Sequence, residues 1–218
     1  MHTIEALEDR RLLAVDPANF VSLVSNPFMP LLPGTTTVFK GVQDGKPAID
    51  ISTVTRQSKQ ILGVNVTVVH DRVYLNKKLA EDTRDWYAQD KQGNVWYFGE
   101  DTREFTNGQV TSTEGSWESG VNGALPGIIM EAHPKKGDAY QQEFAGDTAS
   151  DRAKVLSLRQ TMSVPFATFT HVLETKEFTP LEPGVVEHKF FAKGIGFIKS
   201  VVVKGGTQEF HLVAIRYS

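Results

Sequence analysis

The sequence predicts a mostly β fold, an antiparallel meander of about eleven strands forming a strongly curved sheet or barrel. Three observations predict it. Short runs rich in β-branched and aromatic residues recur from Thr35 onward, which is the composition of half-buried strands. The breaks between runs carry turn chemistry: Asn107-Gly108 suits positive φ at both central positions of a type I′ hairpin turn, and Gln92-Gly93-Asn94 and Lys204-Gly205-Gly206 suggest similar reversals. The connections are also short, as antiparallel neighbours require.

Taken in order, Pro27, Pro30, Pro33 and Gly34 preclude a helix at the start, and the run Thr35-Thr36-Thr37-Val38-Phe39 opens the β pattern. Strands are expected near 49–56, 61–75, 79–89, 95–105, 110–117, 139–144, 152–158, 169–178, 185–191, 197–204 and 209–216. A helix over 148–158 competes with one of these, because Asp151, Arg152, Ala153 and Lys154 tolerate helical geometry. The span 118–137, with Gly120, Gly123, Pro126, Gly127 and Pro134, lacks a pattern. Connections of that length are rarely idle, so Val121 to Pro134 is read as a candidate lid.

Composition bounds the function. The 218 residues suit one domain, with 17–218 as a single β unit. Hydrophobic content of 40% with 22% charged residues belongs to a chain that folds. A net charge of −3 with scattered Lys and Arg supplies no footprint for nucleic acid. The absence of cysteine removes disulfides, thiolate metal sites and a cysteine nucleophile. No apolar run approaches the roughly 18 residues of a membrane-spanning helix. No motif calls for a cofactor.

At the start, Ile4-Glu5-Ala6-Leu7-Glu8-Asp9-Arg10-Arg11-Leu12-Leu13-Ala14 resembles the short LEPR-x-LL-type segment of planctomycete exported and surface proteins. The bland reading of the same stretch is an amphipathic helix. Residues 1–16 are accordingly set apart as a targeting-like segment. Two further segments, Phe28-Met29-Pro30-Leu31-Leu32-Pro33-Gly34-Thr35 and Phe190-Phe191-Ala192-Lys193-Gly194-Ile195-Gly196-Phe197-Ile198-Lys199, resemble the opening and closing signatures of a family of bacterial exported β-proteins. Asp85-Trp86-Tyr87 and Asn94-Val95-Trp96-Tyr97-Phe98-Gly99-Glu100 add to the likeness. The resemblance implies a LolA-like or lipocalin-like curved sheet and an exported location, periplasmic or at the cell surface. It implies no activity. Lys193 departs from the proline common at that position.

The densest polar cluster falls in the central meander. A two-residue turn at Asn107-Gly108 would set Glu104 against Thr111, Glu100 against Gly115 and Phe98 against Trp117. Pairing Asp90 with Val95 would set Asp85 against Glu100 and Tyr87 against Phe98. A reversal at Asn76-Lys77 would add His70 and Arg72 to the same face, and a one-residue slip would substitute Asp71. The expected ligand-binding face is therefore His70, Arg72, Asp85, Tyr87, Trp96, Phe98, Glu100 and Trp117. If it lines the concave side, aromatic walls and polar anchors suit a small apolar or amphipathic molecule.

Asp85 and Glu100 are also the candidate catalytic pair of a carbohydrate-active hydrolase. A third reading is a structural module without a pocket. Like-charge repulsion, with Trp96 and Phe98 as apolar neighbours, should raise the pKa of at least one acid. The histidines are widely separated, with no pair at i, i+2, and no metal site is expected.

Overall fold

Four two-residue turns fold the central chain back on itself. Asp44-Gly45, Leu62-Gly63, Asn76-Lys77 and Asn107-Gly108 each have positive φ at both positions, between 49° and 80°, the type I′ geometry that matches strand twist. The computed structural model describes residues 15–218. A 3₁₀ turn at Pro17–Asn19 leads into β1 (Phe20–Val21), β2 (Val24–Asn26) and β3 (Met29–Leu31). The central meander is β4 (Thr35–Gln43), β5 (Lys46–Ile61), β6 (Val64–Leu75), β7 (Lys78–Asp90), β8 (Val95–Thr106) and β9 (Gln109–Ser112). Short strands follow: β10 (Trp117–Glu118), β11 (Leu125–Met130), β12 (Ala139–Gln141) and β13 (Glu143–Phe144). The last meander is β14 (Arg152–Ser163), β15 (Thr168–Phe178), β16 (Val186–Ala192), β17 (Gly196–Lys204) and β18 (Glu209–Tyr217).

Thirteen of these run in one antiparallel path, β12-β14-β15-β16-β17-β18-β4-β5-β6-β7-β8-β11-β13. Its two ends are consecutive in sequence. Tyr140 of β12 pairs with Ala153, Glu143 of β13 pairs with Pro126, and Gln142 lies between them. One short run of chain thus joins both edges, making a nearly closed barrel and leaving little exposed edge. Gly127 permits the join, since a Cβ there would sit 2.3 Å from the Gln142 carbonyl oxygen.

The helix considered over 148–158 is instead part of β14. Ala153 and Val155, both buried, alternate with exposed Arg152 and Lys154, so the two-residue period prevails over helix propensity. The lid expected from Val121 to Pro134 is not a lid, because its middle is β11, a barrel strand paired with β8. Pro126 and Gly127 hide that strand in the sequence.

A different segment covers one barrel end. The β2–β3 hairpin is held by Asn26, whose amide donates to the Gly93 and Glu131 carbonyls, and by Gln89, which accepts from the Ser25 N–H. Val24 and Phe28 of this hairpin pack on interior Val95, Met130, Val155, Leu173 and Phe191. Phe39, Ile198, Phe210 and Leu212 belong to a second apolar cluster. On the outside of β5 to β8, Val15 and Phe20 cover Val66, Val68, Trp86 and Phe98. The targeting-like segment lies outside the described residues as far as Ala14.

Candidate functional site

Two β-bulges decide which side chains enter the barrel. Between Trp86↔Gly99 and Tyr87↔Tyr97 the register shifts by one, leaving Phe98 as the extra residue on β8. Asp85 and Glu100 remain partners on the inner face, but Trp96 and Phe98 turn outward. Phe98 is fully buried there, its ring 5.5 Å from Phe20, and the Trp96 indole donates to Asp90 at 2.9 Å. On β7 the register shifts at Ala80, between Val73↔Glu81 and Tyr74↔Leu79. This is the slip that substitutes Asp71 for the face expected of His70 and Arg72. Val69 and Asp71 point inward, whereas outward-facing His70 hydrogen-bonds Asp82 at 3.0 Å and Arg72 stands opposite Asp82.

All three expected pairings beyond the Asn107-Gly108 turn also shift. Glu104 pairs with Ser112, not Thr111, and Glu100 pairs not with Gly115 but with Trp117, which was expected opposite Phe98. Trp117 therefore sits with Glu100 on the inner side, edge-on to Tyr97 at 5.5 Å. Of the eight expected residues, Asp85, Tyr87, Glu100 and Trp117 face inward, while His70, Arg72, Trp96 and Phe98 do not.

Beneath the hairpin lies a cavity of about 260 Å³. Met29, Leu31, Val54, Val69, Ile129, Phe191 and Phe197 make apolar walls, and Asp50, Asp71, Asp85, Tyr87, Gln142, Glu177 and Lys189 supply polar groups. Asp85 and Tyr87 are the only members of the expected face that line it; Glu100 and Trp117 stand behind them. Asp50, Glu177 and Lys189 were not singled out from the sequence, and Asp71 entered only as the outcome of a one-residue slip. Their signal is faint: Asp50 lies between Ile49 and Ile51, an alternation that assigns the acid to water.

The inner carboxyls are short of counter-charge. Lys189, bridging Glu177 at 2.7 Å and Glu187 at 3.6 Å, is the one cation lining the cavity among the described residues. Burial acts to lower its pKa, but Glu177, Glu187 and Asp151 outweigh that and hold it charged. The neighbouring acids respond by keeping protons. Burial, then the charge of Asp71, pushes Asp85 up to about 7 against one hydrogen bond donated by Tyr97 at 2.6 Å. Burial raises Asp50 to about 6 and lifts Asp71 well above the usual carboxylate range. The two acids act on each other, the charge of Asp50 helping Asp71 hold its proton, so one proton between them relieves their repulsion.

A pair of hydroxyls links two acids. Glu81 accepts from Thr83 at 3.1 Å, the Thr83 and Thr102 hydroxyls are 2.7 Å apart, and Thr102 donates to Glu100 at 3.2 Å. Burial and the charge of Asp85 push Glu100 up to about 8 against that bond. Burial within the barrel, not the outward-facing Trp96 and Phe98, is the main cause.

A pH dependence follows. Each raised carboxyl holds its proton more tightly in the folded protein than in the unfolded chain. Its stabilisation is therefore fully present below the unfolded value of about 4 and is lost as pH rises through the folded one. For Asp50, Asp85 and Glu100 that loss spans pH values of about 6 to 8. The Tm is expected to be higher at about pH 5 than at about pH 8.5, and the double change Asp85→Asn with Glu100→Gln should remove much of the difference. A Tm that rises across this interval would show that these acids are ionised and solvated.

Among the described residues no group of three His, Cys, Asp or Glu side chains converges as metal ligands. No helix among them is long and apolar enough to cross a membrane, which leaves strand-based crossing unaddressed.

Comparison with known proteins adds the fold. A crystal structure of a Bacteroides fragilis protein with a YmcC-like fold, provisionally described as exported, matches with a TM-score of 0.51 at 14% identity. The match covers 87% of this chain and 98% of that one. A Parabacteroides distasonis protein provisionally described as a lipoprotein matches with a TM-score of 0.46 at 8% identity, over 88% and 99% of the two chains. No protein-family model and no curated protein matches the sequence.

Proposed function

We propose that the chain is an extracytoplasmic binding protein that holds a small amphipathic ligand inside the barrel. The observation that carries this reading is the cavity beneath the β2–β3 hairpin, with apolar walls meeting buried polar groups. At about 260 Å³ it exceeds the ~150 Å³ that holds benzene in an engineered protein cavity and falls just short of the ~300–1,000 Å³ of common ligand pockets. A ligand of about the size of a short-chain amphiphile fits these limits. The extracytoplasmic part of the reading is supported by the resemblances at the two ends of the chain and by the exported description of the Bacteroides fragilis protein. Residues 17–218 would form the binding unit and residues 1–16 the address.

The hydrolase reading has less support, because Glu100 does not line the cavity and only Asp85 of the pair reaches it. A substrate there would meet one of the two acids.

The test is fluorescence titration with N-phenyl-1-naphthylamine, a neutral apolar probe. Saturable enhancement is expected for the native protein. It should disappear in Thr37→Trp, which places an indole into the space that Thr37 borders. Enhancement equal in the native protein and the filled variant would place the probe elsewhere, and a structural module without a pocket would then be the better reading.

A further inference from the structure

We propose that the polar head of the ligand is an organic ammonium, a primary amine on a short apolar body, seated against Asp50, Asp71 and Asp85. This rests on the cavity reading and adds a sign of charge to it.

The first support is the balance of charge around the space. Asp50, Asp71 and Asp85 occupy successive strands β5, β6 and β7, where Ser52 pairs with Asp71 and Val69 with Asp85. All three border the cavity. The one cation lining it among the described residues, Lys189, is committed to Glu177 at 2.7 Å. An anionic head would add to this excess of acid, and a neutral head would leave it unchanged. A cationic head neutralises it.

The second is an unfilled demand for donors. Oδ1 of Asp50 and Oδ1 of Asp71 are out of solvent and receive no hydrogen bond from any Lys, Arg, hydroxyl or amide. A proton shared between the two carboxyls is the internal solution, and it leaves one donor for several lone pairs. An alkylammonium brings three N–H donors and no acceptor. It replaces the shared proton between Asp50 and Asp71 with a charge-assisted bond, and Asp85 further along the wall contributes its charge.

The third distinguishes an organic cation from a metal ion. The three acids are spread along a wall and do not converge, and no metal-ligating trio exists among the described residues. Hard cations need a closed shell of about six to eight oxygens. Val54, Val69, Ile129 and Phe191 instead offer hydrocarbon for an apolar body beside the carboxyls.

Isothermal titration of the native protein near neutral pH with n-octylammonium, n-octanol and octanoate tests the proposal, since the three share a chain and differ in head charge. Octylammonium should bind on the order of tenfold tighter than octanol, the worth of one charge-assisted hydrogen bond, and octanoate should bind weakest. Asp71→Asn, with Asp50→Asn as a second variant, should bring octylammonium to the level of octanol while octanol binding is kept, which also shows that the variant folds. Octanol binding as tightly as octylammonium, or an amine preference that survives both substitutions, would overturn the ammonium head and leave the cavity reading intact. Failure of all three compounds to bind would overturn the cavity reading itself.

Discussion

Replacing Gly99 by valine is expected to destabilise the protein by about 3 kcal/mol or more, combining ~1–3 kcal/mol of backbone strain with ~1–3 kcal/mol of overpacking. Gly99 has φ of 125°, which a β-branched residue essentially never adopts. A Cβ there would lie 2.2 Å from the Trp117 carbonyl oxygen, so β10 could no longer approach β8. The same residue borders the bulge that turns Phe98 outward and keeps Asp85 opposite Glu100. Gly108→Val is the control, because Gly108 has φ of 79° but no atom within 4 Å of an added Cβ. It should cost only the strain, about 1 kcal/mol. Urea denaturation measures both. Equal midpoints for the two variants would mean that β10 does not pack on Gly99.

Lys189→Ala should be the next most damaging change, at about 2–3 kcal/mol, because it strands the Glu177 carboxylate. Glu177 has 7% of its side chain exposed and meets Lys189 at 2.7 Å, while a third of the Lys189 side chain is exposed. That exposure places the cost below the ~3–5 kcal/mol of a fully buried pair. Replacing both partners, Lys189→Met with Glu177→Leu, should recover most of the loss, since no charge is then stranded. Chemical denaturation of the single and double variants decides the matter. A double variant as unstable as Lys189→Ala would show that the lysine acts through its packing.

The general architecture was legible in the sequence because strands and tight turns are local. Asn107-Gly108 and Asn76-Lys77 both form the expected reversals, and most strands of the two long meanders lie near their expected places. The interior was only partly legible, because bulges are not local signals. The expected pairing of Asp85 with Glu100 holds through two offsetting one-residue differences: Val95 pairs with Gln89 and not Asp90, and Phe98 is bulged. The bulge at Ala80 exchanges His70 and Arg72 for Asp71. β11 was missed because Pro126 and Gly127 resemble a loop, and Gly127 is required there by the close approach of Gln142. Asp50, Glu177 and Lys189 were missed for another reason. A barrel this wide can hold charged groups at its waist, while alternation in a sequence assigns charge to water.

The central claim is that a ligand sits inside the barrel, and intermolecular NOEs between bound n-octanol and assigned methyl groups test it most directly. Contacts are expected to the methyls of Val54, Val69 and Ile129, which line the cavity. Contacts confined to Val66 and Val68, on the opposite face beneath Val15 and Phe20, or no contacts at saturating octanol, would contradict a site inside the barrel.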